Sequence, residues 1–229
     1  MVAMQEPTVE RFEQVMAALL RDYAVHDILH PAARLIFILE SPHVQELKYG
    51  APVSGPSGAT MTRHLFGDDY AKFPLGRLVK KNVDDQVNRP RLSRIGLMNV
   101  CNVPLQSAAY PDPAVRQAYA DWLRAMGTLR TSNQQDVYRD DAVNAVQAFL
   151  AASLRSKLLA LTNRDCVFVP CGRFAQKFYR LAAVHRPNWT VIHGVPHPSY
   201  NAWDRAVYAP VIQRVQAALA DVSREPLPS

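Results

Sequence analysis

Apolar positions along this chain of 229 residues alternate between two kinds of stretch. Leu35-Ile-Phe-Ile-Leu39 has no polar face and is bounded by Arg34 and Glu40, the pattern of a strand buried on both sides. Ile95-Gly-Leu-Met98, Cys166-Val-Phe-Val169 and Thr190-Val-Ile192 read the same way. Between them the apolar residues recur at helical spacing. Phe12, Val15, Leu19 and Tyr23 follow Thr8, a capping residue placed just after Pro7. Asp112 and Pro113 open a helix through Val115, Tyr119 and Trp122. Val143, Val146, Leu150, Leu154, Leu158 and Leu161 mark a long helix, and Phe174, Phe178 and Leu181 another. Val211, Val215, Leu219 and Val222 mark the last, with Pro210 in its first turn or at a kink.

Strands alternating with helices imply parallel strands joined by right-handed crossovers. The expected fold is therefore α/β, a three-layer α/β/α sandwich around a central four-stranded parallel sheet. Residues 1–229 are expected to form one domain, with residues 1–30 a helical segment packed on it. In such sheets the binding crevice lies beyond the carboxyl ends of the strands. Glu40-Ser-Pro-His43, Asn99-Val-Cys-Asn102, Pro170-Cys-Gly172 and Gly194-Val-Pro-His197-Pro-Ser199 all stand there.

Composition narrows the class. Hydrophobic residues make up 48% and charged residues 20%, which argues for a packed core and against disorder. No apolar run approaches the roughly 18 residues of a membrane span, and the first residues lack the apolar stretch of a secretory signal. Cys101, Cys166 and Cys171 are widely spaced without a C-x-x-C pair, which suits a reducing compartment and excludes a self-contained metal cage. A cytoplasmic, monomeric protein is expected. The net charge of +6 is uneven. Arg77, Lys80, Lys81, Arg89, Arg91 and Arg94 face only Asp84 and Asp85, and Arg173, Lys177, Arg180 and Arg186 have no acid among them. Such clusters suit a polyphosphate partner, and equally a solvated helix face.

Two segments carry candidate chemistry. Pro42 to Gly58 holds three glycines and three prolines in 17 residues, and Ser57-Gly58 can open a helix whose first N–H groups face an anion. It contains neither a P-loop nor a G-x-G-x-x-G pattern. His197 is pinned between Pro196 and Pro198, whereas His193, four residues earlier, is kept from a helical metal site by the same prolines. No nucleophile elbow or serine–histidine–acid order is present.

Glu40-Ser-Pro-His43-Val-Gln-Glu46 followed by Gly50-Ala-Pro52-Val-Ser-Gly55-Pro-Ser57-Gly58 resembles the first motif of the uracil-DNA glycosylase superfamily. Asn99-Val-Cys-Asn102-Val-Pro104 resembles its middle motif, and His197-Pro-Ser199-Tyr200 its closing one. The resemblance implies an enzyme of base excision repair that flips a damaged base, by default uracil, out of single- or double-stranded DNA. It would cleave the N-glycosidic bond without a metal or other cofactor, and act on no membrane. Glu40 then matches the carboxylate beside the sugar, with Glu46 a competing candidate. His197 matches the donor to the departing base, and Asn99 the amide that reads its polar edge. His43 and Val53 fall in the base site, where Val53 replaces a stacking phenylalanine and leaves Phe66, Tyr49 or Tyr200 to supply a platform. Gly55, Ser57, Gly58, Lys80, Lys81, Arg89, Ser199 and Tyr200 would contact DNA, with Tyr200 or Trp203 as the intercalating wedge. Glu40, Asn99 and His197 are expected to line one crevice flanked by both basic stretches. Two other readings stand beside this one: a non-catalytic nucleic-acid-binding protein of the same fold, and a hydrolase acting on a free nucleoside or nucleotide.

Overall fold

The computed structural model describes residues 8–224; the expected domain limits at residues 1 and 229 lie outside the described residues. In chain order the elements are α1 (Val9–Tyr23), β1 (Ile28–Leu29), β2 (Leu35–Leu39), α2 (Val44–Tyr49), α3 (Pro56–Phe66), α4 (Leu75–Asp84) and α5 (Pro90–Ser93). There follow β3 (Ile95–Asn99), α6 (Pro113–Ala118), α7 (Ala120–Thr131), α8 (Asp141–Leu159), β4 (Cys166–Pro170), α9 (Gly172–Ala182), β5 (Trp189–Val191) and α10 (Ala209–Arg224).

The sheet runs β1-β3-β2-β4-β5. β2 lies between β3 and β4, parallel to both, with Leu35 opposite Ile95 and Val167, and Leu39 opposite Asn99. β5 is parallel to β4, and only β1 is antiparallel, pairing Ile28 with Leu97. The expected four parallel strands are present and the two-residue β1 is added at the edge. It is too short for alternation to reveal it.

Side chains alternate across the sheet and divide the core into two layers. Ile36, Ile38, Met98 and Phe168 face α1, α7, α8 and α9, joining Phe12, Leu123, Leu150 and Phe178. Leu35, Phe37, Leu39, Leu97 and Val169 face α3, α4 and α10, joining Met61, Val79 and Val215. This is the α/β/α sandwich that the strand–helix alternation implies.

Two helices differ from their expected extents. Asp112 does cap a helix, its carboxylate accepting from Ala114 N at 2.8 Å. Tyr119, at φ −113° and ψ 22°, then breaks the run into α6 and α7. α8 ends at Leu159, so Leu161 reaches the same core from the turn that follows.

Candidate active site

Glu40 and His197 leave separate strand ends and line one cavity of about 340 Å3 at the carboxyl edge of the sheet. His43, Glu46, Val53, Gly55, Ser57, Ser199 and Tyr200 line it too. An adjoining cavity of about 460 Å3 shares Glu40, His197, Ser199 and Tyr200 with the first, and adds Arg173 and Arg205.

The loop after β2 is built around Glu46. Its carboxylate accepts from His43 N at 2.6 Å and Val53 N at 2.5 Å, so both oxygens are committed to backbone amides. Burial lifts its pKa to about 7, against the pull of those amides and with a push from the Glu40 charge. Val53 is held at φ +47°, a conformation a β-branched residue rarely adopts, and its side chain is 5% exposed. Gly58, in the first turn of α3, makes room for this loop: a Cβ there would lie 1.7 Å from Val53 O. Gly58 thus supports the cavity from behind and does not line it.

Glu40 is largely buried, with a side-chain exposure of 17%. Its Oε1 accepts from Arg130 Nε at 2.5 Å. Burial raises the Glu40 pKa, while the Arg130 charge and hydrogen bond oppose the rise. Gln106, with its amide oxygen turned to the guanidinium, accepts from Arg130 Nη2 at 3.0 Å. Neither Arg130 nor Gln106 was legible as a site residue: Arg130 stands 90 residues from its partner, in the last turn of a helix with no local motif.

His197 is fixed from several sides. Gly172, at φ +85°, lets α9 begin against it, since a Cβ there would lie 2.8 Å from His197 Cβ. Trp203 Nε1 donates to Pro196 O at 3.0 Å. Ser199 N donates to His197 Nδ1 at 3.3 Å, and the Ser199 hydroxyl lies 2.8 Å from the same nitrogen. Nδ1 is therefore the acceptor and the ring proton sits on Nε2. Burial, helped by the Arg130 charge, holds the pKa at about 4, so the ring is neutral at pH 7.

Asn99 does not line either cavity. It pairs with Leu39 as the last residue of β3, one step short of the position Glu40 takes past β2, and is fully buried. Its N–H donates to Asp27 Oδ1 at 3.0 Å and its carbonyl accepts from Lys157 Nζ at 2.7 Å. Lys157 and Asp27 pair at 2.9 Å, and Asn102 bonds to both. Neither atom of the Asn99 side-chain amide has a hydrogen-bond partner among the described residues.

Among the aromatics, Trp203 is 1% exposed and packs on Phe37 and His64, so it belongs to the core and cannot serve as a wedge. Tyr200 is 90% exposed at φ +54°, at the mouth of both cavities. Tyr49 lies under Arg77 and Phe66 under Arg91, and neither lines these cavities.

The basic stretches do not frame the crevice as expected. Lys80 pairs with Asp84 at 2.7 Å and Lys81 with Asp85 at 2.9 Å, and neither they nor Arg89 lines either cavity. Arg94 precedes β3 at the opposite edge of the sheet and is buried. In the second stretch Arg173 lines the larger cavity. Lys177 is buried against Gln135 O and Tyr138 Oη, and Arg180 pairs with Asp136.

Burial pushes the thiols of Cys101 and Cys166 up to about 12 and about 11, and that of Cys171 higher still. Among the described residues no group of three or more His, Cys, Asp and Glu is placed to hold a metal ion, and no helix is long and apolar enough to cross a membrane.

No curated protein matches this chain. The family model described as the uracil DNA glycosylase superfamily matches residues 26–218, from the turn before β1 into α10, and so spans every element that carries the crevice. With its motifs at the strand ends of an α/β/α sandwich, the chain belongs to the uracil DNA glycosylase superfamily.

Proposed function

We propose that the protein is a DNA glycosylase that receives a flipped base, by default uracil, in the cavity between Glu40 and His197 and hydrolyses its N-glycosidic bond. The observation that carries this reading is the opposed pair itself: a carboxylate and a neutral imidazole from different strand ends facing one cavity. Breaking the bond leaves a cationic sugar and an anionic base. Glu40 stabilises the sugar cation and orients the attacking water. His197 donates from Nε2–H to the oxygen on which the base gathers charge, without having to lose a proton first. Asn99, fully buried and outside both cavities, does not reach a base held there, so its unpaired amide takes no part in this reading. Glu46 organises the loop, since its oxygens are already taken. Tyr200, exposed at the cavity mouth, fills the gap left in the stack.

Single-turnover excision from oligonucleotides carrying uracil, hypoxanthine, xanthine or a mismatched thymine tests the reading. Glu40→Gln and His197→Ala should each lower base release by about two to four orders of magnitude with DNA binding retained. If the wild type creates no abasic site in any of them, the binding-protein reading replaces this one.

A further inference from the structure

Two acids, Glu40 and Glu46, lie close together after β2, and Arg130 pairs with the first. Glu40 has the like charge of Glu46 on α2 beside it, the thiol of Cys101 after β3 near it, and His197 across the cavity. Arg130 supplies the opposing charge from the last turn of α7, where the helix dipole favours a cation. α7 is anchored in the core by Trp122, Leu123, Met126 and Leu129, so the guanidinium is delivered by a rigid element. Gln106 holds its other side, giving a chain Gln106–Arg130–Glu40. No other hydrogen bond to the Glu40 carboxylate is made among the described residues, and Glu40 lines the cavity.

We propose that Arg130 is the positioning residue of this site: it holds Glu40 Oε1, leaves Oε2 to the reacting water or sugar, and stands as the counter-charge of the buried carboxylate. The same charge works on His197. It opposes protonation of the ring while it opposes neutralisation of Glu40, so one guanidinium biases both groups toward the forms that the chemistry needs, beside the larger effect of burial. This inference rests on the glycosylase reading for its consequence and on the Arg130–Glu40 geometry for its existence.

Arg130→Gln keeps a hydrogen-bonding side chain and removes the charge; Arg130→Lys keeps the charge and removes the planar fork. Single-turnover excision is followed from about pH 5 to about pH 9, and thermal melts confirm that each variant is folded. Arg130→Gln should show a rate deficit of about tenfold at the acid end that closes at the alkaline end, where Glu40 ionises unaided. Arg130→Lys should regain most of the acid-end rate. A profile parallel to the wild type, with equal loss at every pH, overturns the proposal. A second readout needs no activity: carbon-13 titration of the Glu40 carboxyl, assigned by its disappearance in Glu40→Gln. Its midpoint should move to higher pH in Arg130→Gln, and an unmoved midpoint overturns the proposal even if the wild type excises nothing. Failure of excision with a shifted midpoint instead removes the glycosylase reading and leaves Arg130 controlling Glu40.

Discussion

A histidine stripped of water is a different reagent from one at the surface. His197 carries its proton on Nε2 and stays neutral because burial and the Arg130 charge hold its pKa at about 4, below its ordinary 6.5. A value lowered by folding has a fixed consequence for stability. The contribution is complete above 6.5, where both folded and unfolded chains hold a neutral ring, and is lost as pH falls toward 4, where only the unfolded chain gains the proton. Glu46 runs the other way. Its folded pKa is raised to about 7, so its contribution is complete below 4.5 and lost as pH rises through 7. The two offset each other in the wild type, and a variant separates them. Relative to the wild type, His197→Gln should gain on the order of 3 kcal/mol of unfolding free energy between pH 7.5 and pH 4. Urea denaturation of both proteins at the two pH values measures this, and an unchanging difference between them would show that the ring is not held neutral.

At the scale of elements, β3 is the strand whose end needs help. β1 covers it for only two residues, so Asn99 at its carboxyl end has no neighbouring edge strand to bond. Side chains replace the missing backbone: Asp27 takes the Asn99 N–H, and Lys157 on α8 takes its carbonyl. Lys157→Met leaves the partly buried Asp27 carboxylate without its cation, though still bonded to Asn99 N and Asn102 Nδ2, and should cost about 1–3 kcal/mol in chemical denaturation. Adding Asp27→Asn should recover part of that loss, as coupled partners require. Strictly additive losses would mean that the pair does not act as a unit. These contacts also mark where sequence reasoning ends. The runs Leu35–Leu39 and Cys166–Val169 are legible because strands buried on both faces must be apolar throughout. Glu40 and His197 are legible because they follow such runs. Arg130, 90 residues from Glu40, and Lys157, 58 residues from Asn99, are set by tertiary packing that no local spacing records. Trp203 reads as a free aromatic in the motif, yet the partners that bury it, Phe37 and His64, lie far along the chain.

Over the whole molecule, the excess of positive charge matters less than which cations remain unpaired. Of the +6 net charge, much of the density between Arg77 and Arg94 is spent on neighbours: Lys80 and Lys81 on acids one turn away, Arg91 on Phe66 and on Leu65 O. Arg173 and Arg205 are different. They come from the first turn of α9 and the segment after Asp204, both are exposed, and neither makes an ion pair among the described residues. Both line the larger cavity, which shares Glu40, His197 and Tyr200 with the smaller one. A strand whose base enters between Glu40 and His197 must carry its phosphates past that mouth, and two unpaired guanidinium groups there release counterions when phosphates reach them. Arg173→Ala with Arg205→Ala should weaken binding to DNA of any sequence and lower the slope of log affinity against log salt by about two, roughly one per phosphate contact. Lys80→Ala with Lys81→Ala should leave the slope within about half a unit of the wild type. The reverse pattern in a salt titration by fluorescence anisotropy would move the path of the strand to α4, away from the mouth shared by the two cavities.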